Sequence, residues 1–480
     1  MIPTIVWFRG KDLRVGDHAP LRDAIADGEV FPLFVVDPYF FSPERAHDAP
    51  HRLQYLLDAL ADLAASLAVR GSRLTLVPGK SVEVIPKLSA LLGGARVLAH
   101  RWVEPFARER DRRVKEALGD RFTLYEGETL LTPGSVRTQG GGPYAVFTPF
   151  SRACRRELDR GVGAPIPPPP LIPTRAAPRQ LETCDLPTLD SLGLTRNPRV
   201  IAGGETHARQ RLDRFVAERL SAYPTARDRM DLDGTSRLSA DLKFGALSIR
   251  EVYGRVASAS ARTKSAPVRE AADKFLSELL WREFTHHTLW DHPEVLRRPF
   301  RATFEGFPWR DDERALEAWR QGATGYPIVD AAARQLVLEG YVHNRARMIA
   351  ASFLTKHLLI DYRLGEAHYL KHLVDGDWAQ NNAGWQWSAG CGCDAAPYFR
   401  VFNPVEQGRR FDPEGAYIRR YLPQLAGLPA GLIHAPWEAP ARALEAAGVT
   451  LGKSYPGPIV DHKQARERYL SVARDHLKRT

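Results

Sequence analysis

One stretch of the sequence, residues 275–284, brings an acid, an indole and a cation onto a single helical face. Glu278, Trp281 and Arg282 stand at positions i, i+3 and i+4, which share a face when the segment is helical. Such a face can hydrogen-bond a polar ligand, stack on a flat one and neutralise an anion. The alternative is a half-buried tryptophan beside a surface ion pair, and the segment alone leaves both interpretations open.

A second stretch, residues 235–239, combines hydroxyl groups with the start of a helical pattern. It consists of Thr235, Ser236, Arg237, Leu238 and Ser239. Hydroxyls and backbone amides at a helix N-terminus bind phosphate readily. In most segments of this kind, however, the serine or threonine only caps the helix. The pattern alone therefore favours a cap over a phosphate site.

Charged and amide side chains follow in a third stretch. Asn344, Arg345, Arg347 and Met348 lie within about one helical turn of each other, and residues 375–377 read Asp-Gly-Asp. An arginine here can neutralise an aspartate beside a cofactor, or it can form a structural salt bridge. The pattern by itself favours the salt bridge.

Tryptophans are concentrated in the same part of the chain. Seven of the ten fall between Trp281 and Trp387. Residues 381–390 place Trp385 and Trp387 among small residues and two asparagines, a composition that lets a flat ligand approach the backbone closely. Aromatic core packing rarely needs such a composition, so this stretch indicates a ligand site.

The sequence pattern divides the chain into two parts with different secondary structure. Residues 1 to about 130 alternate short apolar runs with amphipathic helical segments, the runs at 4–8, 30–36, 73–77, 96–99 and 122–125 and the helices at 51–69 and 104–118. This alternation predicts an α/β domain with a parallel, Rossmann-like sheet. No Gly-x-Gly-x-x-Gly fingerprint follows the first strand, so an ordinary NAD site is not supported.

Prolines mark the boundary between the two parts. Six of them fall within residues 165–173, where they cannot continue a helix or a strand and indicate an extended connector. Beyond residue 205 the pattern is helical, with long segments at 268–289, 330–357 and 365–374. We therefore predict an α/β domain over 1–130, a connector over 131–204 and a large all-α domain over 205–480.

Charge and cysteine content narrow the class of protein. Lysine and arginine exceed aspartate and glutamate by 67 to 57, a formal charge of +10, which favours a polyanionic partner such as nucleic acid. The four cysteines lack the spacing of zinc ribbons or redox dithiols. This cysteine pattern predicts no metal site and fits a reducing cytoplasm. The sequence also shows neither a signal peptide nor a membrane span, so we expect a cytoplasmic protein.

Taken together and in order, these segments resemble the photolyase/cryptochrome family, specifically the bacterial class I photolyases of cyclobutane pyrimidine dimers. The resemblance runs from residues 7–14 to 459–463 and includes 325–332 and 394–404. It implies an N-terminal antenna domain and a helical FAD-binding domain. It also implies a light-dependent lyase that repairs DNA, in which excited reduced FAD passes an electron to a flipped-out dimer and recovers it after both ring bonds break. A monomer suffices for this task.

The same resemblance assigns roles by position. FAD contacts are implied for Tyr223, Thr235, Ser236, Arg237, Leu238, Ser239, Phe275, Arg347, Asp375, Gly376, Asp377 and Asn381. A catalytic set is implied at Glu278, Asn344, Met348 and Asn381. Contacts with DNA or the dimer are implied for Arg227, Glu278, Trp281, Arg282, Asn344, Arg345, Trp387, Arg400 and Gln407.

Three of these positions carry information about activity. Asn381 matches the residue that faces flavin N5, where a neutral amide suits the reduced flavin used for repair and plant-type cryptochromes carry an acid. Relatives that act on (6-4) photoproducts carry histidines where this chain has Asn344 and Met348. The resemblance therefore favours cyclobutane dimers as the substrate.

The family's electron relay to oxidised flavin is altered. Trp385 and Trp309 match its inner and outer tryptophans, but the middle position is Tyr362. Tyrosine is harder to oxidise unless it can release its phenolic proton. We expect either proton-coupled transfer through Tyr362 or a route through Trp378.

The antenna position is altered as well. Folate-binding relatives have an Asn-Glu pair where this chain has Phe106 and Ala107, which disfavours folate. Residues 104–111 are closer to deazaflavin-binding relatives, yet Trp102 replaces an acid, and the Gly10-Lys11 pair lengthens the first loop. We expect either a deazaflavin- or flavin-type second chromophore or none.

Two other classes of protein remain as alternatives. A cryptochrome-like blue-light photoreceptor would bind FAD without repairing DNA, and it has no need of the combined Glu278, Asn344, Met348 and Trp387. A nucleotide-binding electron-transfer protein would show no light dependence and no preference for damaged DNA.

Overall fold

The computed structural model describes residues 2–478. Within them, five strands form one sheet: β1 (Thr4–Phe8), β2 (Val30–Val36), β3 (Thr75–Pro78), β4 (Val97–His100) and β5 (Phe122–Tyr125). All neighbours pair in parallel, in the order β3-β2-β1-β4-β5. This confirms the predicted parallel α/β fold.

Helices connect and cover these strands. They are α1 (Ala19–Asp27), α2 (Pro43–Ala46), α3 (Pro50–Ala68), α4 (Ser81–Leu91), α5 (Pro105–Leu118) and α6 (Phe147–Leu158). Both β1 and β2 are buried along their whole length, because a parallel sheet with crossover helices is covered on both faces. Residues 161–173 form neither helix nor strand.

The rest of the described chain is helical. It contains α7 (Glu205–Arg214), α8 (Tyr223–Ala226), α9 (Ser239–Lys243), α10 (Ile249–Arg262), α11 (Ala266–Asp291), α12 (Glu313–Gln321), α13 (Pro327–Glu339), α14 (Asn344–Ser352), α15 (Tyr362–His372), α16 (Trp378–Ala389), α17 (Pro404–Phe411), α18 (Ala416–Tyr421), α19 (Ala430–Ile433), α20 (Ala441–Ala446) and α21 (His462–Leu477). The predicted all-α part is thus confirmed.

One predicted helix was wrong in extent. The apolar pattern at 330–357 predicts a single helix, but α13 ends at Glu339 and α14 begins at Asn344. Gly340 ends α13 in a left-handed conformation with φ of 61°, which glycine adopts without steric cost. His343 then starts α14 by accepting a hydrogen bond from the backbone amide of Arg345 at 3.2 Å.

The chain forms two compact units. The first comprises Met1–Ser221 and Ser236–Pro293, and the second comprises Ala222–Thr235 and Glu294–Thr480. The first contains the sheet and its apolar core, and the second has its own core, built largely from α13, α14 and α18. The domain limits read from the sequence, near residues 130 and 204, remain predictions. In the described residues, no helix combines the length and apolar character needed to cross a membrane.

Candidate functional site

In the first unit, α11 presents Trp281 on an aromatic support. The indole of Trp281 stacks face to face on Phe147, with ring centroids 3.7 Å apart and planes 9° apart. Phe284 meets Trp281 edge-on at 5.9 Å. Stacked and edge-to-face rings fix each other's orientation. Trp281 is therefore a rigid, half-exposed surface with one face already supported.

Arg282, the neighbour of Trp281, is turned into the protein. Its side chain is 6% exposed, and Nη1 donates a hydrogen bond to the Glu128 carbonyl at 2.6 Å. The adjacent Glu283 accepts hydrogen bonds from the Leu130 amide at 2.9 Å. Both side chains thus hold the segment around residues 128–130 to α11, and the contact of Arg282 with DNA remains a prediction.

The hydroxyl-rich segment does not form an ordinary helix cap. The N-cap of α9 is Leu238, and no side chain caps this helix end. Ser236 Oγ instead accepts a hydrogen bond from the Leu238 amide at 3.4 Å. Arg237 takes a left-handed conformation with φ of 54°, which costs a non-glycine residue about 1–2 kcal/mol. Strain of this kind is found at ligand-binding segments, which favours a binding role for residues 235–239.

In the second unit, α16 holds Asn381 in a defined orientation. Asp377 caps the helix by accepting a hydrogen bond from the Gln380 amide at 3.0 Å. Asn381 Nδ2 donates to the backbone carbonyl of Glu366 at 3.0 Å. Because a carbonyl oxygen can only accept, the NH2 group must face Glu366. The Oδ1 atom of Asn381 is therefore directed away from that carbonyl and can accept a hydrogen bond from a ligand.

Glu366, on α15, also binds the next asparagine and was missed by the sequence reasoning. Asn382 Nδ2 lies 3.1 and 3.2 Å from the two carboxyl oxygens of Glu366. Glu366 is 8% exposed, and burial raises its pKa to about 7 although the bond from Asn382 lowers it. Gln386 Nε2 donates to Asn382 Oδ1 at 3.2 Å and extends the network. In the sequence, the run Asn381-Asn382 was the only sign of this hydrogen-bond network.

The sequence pattern predicts that an arginine of residues 344–348 pairs with an aspartate of residues 375–377, and in the structure this pair is Arg347 with Asp375. Arg347 Nη2 lies 3.0 and 2.8 Å from the two carboxyl oxygens of Asp375, and Nε donates to the Val342 carbonyl at 2.8 Å. Burial lowers the pKa of Arg347, but the Asp375 carboxylate outweighs it and the net pKa is raised. The structural salt bridge therefore exists, and it fixes a charged pair next to the start of α16.

Further along α14, Arg345 lies beside an aromatic ring. Its guanidinium donates to Asp228 at 2.9 Å and sits 4.4 Å from the centre of the Phe411 ring. On the same helix Asn344 is exposed and Met348 is half-buried. Cation, amide and thioether groups are thus brought together on α14, as the sequence spacing predicts.

The tryptophan and tyrosine rings form two contact groups in the second unit. Trp385 meets Tyr369 at 5.1 Å and Trp319 at 5.9 Å between ring centroids. Tyr362 meets Trp309 at 6.5 Å. The inner member of the predicted relay therefore has a second tryptophan beside it, which the sequence reasoning missed.

The environment of the Tyr362 hydroxyl does not favour the loss of its proton. It is buried without a hydrogen-bond partner among the described residues, and burial together with the nearby Cys391 raises its pKa. Trp378, the alternative relay residue, is 41% exposed at the first position of α16. The roles of Tyr362, Trp309 and Trp378 in electron transfer remain predictions.

The remaining predicted site residues are placed as follows. In the first unit Phe275 is buried against Phe215, with ring centroids 4.6 Å apart, and Glu278 and Ser239 are half-buried. In the second unit Tyr223 and Gly376 are buried, Thr235, Trp387, Arg227 and Gln407 are half-buried, and Arg400 is exposed.

Comparison with known proteins defines the family. Residues 4–171 match the family model described as DNA photolyase, and residues 275–475 match that of the FAD binding domain of DNA photolyase. The "Deoxyribodipyrimidine photo-lyase" of Agrobacterium fabrum is 40% identical over 477 residues, 98% of this chain and 97% of that protein. The chain belongs to the DNA photolyase family and carries its FAD-binding domain.

Two solved structures are similar over nearly the full chain. A bacterial class III photolyase from Agrobacterium tumefaciens has a TM-score of 0.90 and 39% identity, covering 100% of this chain and 98% of that one. A cryptochrome from Synechocystis has a TM-score of 0.87 and 31% identity, covering 98% and 99%. Similarity to a class III enzyme means that the comparisons do not single out class I.

The residues present fit a flavin cofactor. Reduced flavin carries a hydrogen on N5 and needs an acceptor there. The resemblance assigns this position to Asn381, whose Oδ1 would be available as the acceptor because its NH2 group is held by the Glu366 carbonyl. In the second unit, the ion pair of Arg347 and Asp375 lies in segments that the resemblance assigns to FAD. In the first unit, the strained Arg237 lies in another such segment. FAD, when bound and reduced, supplies the light absorption and the electron of the family's chemistry.

Proposed function

We propose that this protein repairs cyclobutane pyrimidine dimers in DNA, using light and reduced FAD. The observation that carries the proposal is the orientation of Asn381, whose NH2 group is held by the Glu366 carbonyl at 3.0 Å. A fixed acceptor at flavin N5 favours the reduced cofactor, which is the form able to donate an electron. An acid at this position, as in plant-type cryptochromes, would not be held in the same way.

Recognition of the lesion is supported by charge and by stacking. The formal charge of +10 favours a polyanionic partner. A dimer must leave the duplex to reach an enclosed cofactor, at a cost of a few kcal/mol that is lower for damaged bases. Stacking on an aromatic ring is worth about 1–3 kcal/mol per base. Trp281, supported by Phe147, offers such a ring without needing to reorganise.

Glu278 and the residues on α14 complete the proposed assignment. Glu278 would hydrogen-bond the polar edge of the dimer, and Asn344 and Met348 occupy positions where (6-4) relatives carry histidine. Neither side chain can act as the imidazole acid of those enzymes. Asn344 is exposed and Met348 is half-buried, so both are accessible to a ligand. These features support a cyclobutane dimer as the substrate.

The decisive experiment is repair of an oligonucleotide that carries one cyclobutane thymine dimer. Photoreduced protein should restore both thymines under blue light and leave them dimerised in darkness. A Glu278→Ala variant should repair with lower yield and keep its FAD content, because the acid is proposed to contact substrate. Glu270→Ala is the matched control, since Glu270 is an exposed acid on the same helix.

A blue-light photoreceptor is the second candidate function. Similarity to the Synechocystis cryptochrome structure favours it. Absence of repair by protein that holds reduced FAD would support the photoreceptor and refute the repair proposal. We further propose that the protein acts as a cytoplasmic monomer, since flipping one lesion needs a single chain and the four cysteines lack the spacing of redox dithiols.

A further inference from the structure

The carboxyl ends of β1 and β4 form the place where a second ligand would be expected in the first unit. The strand order reverses there, because β1 pairs with β2 on one side and with β4 on the other. Open parallel α/β sheets bind ligands in the crevice outside such a switch point. A flavin- or deazaflavin-type antenna, as implied by the family resemblance, would need this kind of crevice.

The indole of Trp102 lies across this crevice. Trp102 follows β4 by two residues, and a Cβ placed on Gly10, just after β1, would lie 3.9 Å from Cη2 of Trp102. The ring therefore reaches from the end of β4 to the loop after β1. Its Nε1 is buried with no acceptor in the described part of the chain, so contacts of the ring rather than a hydrogen bond hold it.

Three cations surround the Trp102 ring. The Cζ atoms of Arg110 and Arg9 lie 4.8 and 5.3 Å from its centre, and Lys11 Nζ lies 5.7 Å away. The same two guanidinium groups lie 4.9 and 4.8 Å from the centre of the Trp7 ring. Cations within about 6 Å of an indole are attracted to it. Both guanidinium groups thus contact Trp7 as well as Trp102.

Ion pairs fix each cation in place. Arg9 and Arg110 bind the same Asp111 carboxyl oxygen at 2.6 and 2.9 Å, and Lys11 pairs with Glu104 and Glu128. Arg9 and Lys11 are both buried. A planar chromophore could enter only if Trp102 left, and the buried cations would then lose the ring that covers them.

We propose that Trp102 fills the switch-point crevice and closes it to a second chromophore. The light used by the protein is then absorbed by FAD without a flavin- or deazaflavin-type antenna in this crevice. The disagreement with the family's two-chromophore arrangement follows from residues in this chain, namely Trp102, Arg9, Lys11 and Arg110.

The test is chromophore binding by the FAD-loaded protein. Equilibrium dialysis against a 5-deazaflavin or FMN should show no saturable second site in the natural protein. Trp102→Ala should gain one saturable site per chain. Phe106→Ala is the matched control, because Phe106 touches Trp102 edge-on at 6.2 Å but is exposed, and it should gain no site.

Two results would overturn the proposal. One is saturable binding of either chromophore by the natural protein. The other is a folded Trp102→Ala protein, with unchanged circular dichroism and FAD content, that gains no site. If Trp102→Ala does not fold, Trp102→Leu keeps apolar bulk, and the same gain of binding is expected of it. None of these measurements requires repair, so they are independent of the proposed function.

Discussion

Glu366 makes the stability of this protein depend on pH in a direction opposite to that of an ordinary ion-paired acid. Its pKa is raised to about 7 by burial, against 4.5 for an unburied glutamate. A raised pKa in the folded state contributes stability that is complete below the unfolded pKa and is lost as the pH rises through the folded pKa. The relevant window runs from pH 4.5 to pH 7.

The pKa shift of Glu366 sets how much the free energy of unfolding changes with pH. One pKa unit corresponds to about 1.4 kcal/mol, so the free energy of unfolding should fall by roughly 2.5 kcal/mol between pH 5 and pH 8 because of Glu366 alone. Glu366→Gln removes this titration. Its Oε1 can still accept from Asn382, and the backbone carbonyl that holds Asn381 is unchanged. FAD content should therefore stay the same.

The assay is urea unfolding of the FAD-loaded protein and the variant at pH 5, 6, 7 and 8, followed by tryptophan fluorescence. Relative to the natural protein, the free energy of unfolding of the variant should rise by roughly 2.5 kcal/mol between pH 5 and pH 8. Glu305→Gln changes an exposed acid of the same unit. Its free energy of unfolding should differ from that of the natural protein by the same amount at every pH. A constant difference for Glu366→Gln as well would refute the reasoning, because the carboxyl group would then titrate normally.

Three further outcomes are expected from packing and charge. Gly365→Ala places a Cβ in steric overlap with the buried Trp385 indole on α16, so its free energy of unfolding in urea should fall by about 1–3 kcal/mol. At Gly384 a Cβ would meet nothing within 4 Å beyond its chain neighbours and its own helix backbone, so Gly384→Ala should be neutral or stabilising, and equal effects of the two substitutions would contradict the packing argument. Arg347→Met leaves the buried Asp375 carboxylate unpaired, which costs about 3–5 kcal/mol and should lower FAD content, and adding Asp375→Asn should recover part of the loss. Tyr362→Phe removes a hydroxyl that has no acceptor among the described residues, so transient absorption should show an unchanged rate of FAD photoreduction, and a slower rate would assign the tyrosine to the relay.

Local pattern determined most of the secondary structure. The apolar runs at 4–8 and 30–36 coincide with β1 and β2, because a strand buried on both faces must be apolar at nearly every position. The run at 122–125 coincides with the edge strand β5, where only Phe122 is buried. The break between α13 and α14 was missed, because glycine within a helical period can either continue the helix or end it. The left-handed conformation of Gly340 decides which.

In the candidate site too, some features follow from local sequence and others from packing. Residue order establishes which chemical groups are available, namely Glu278 and Trp281 on one helical face and the amide at Asn381. The support of Trp281 by Phe147 and the orientation of Asn381 by Glu366 became visible in the folded chain. These contacts join residues on different helices, and local periodicity carries no information about which helices pack together. Their existence depends on how the elements bury their apolar surfaces against one another.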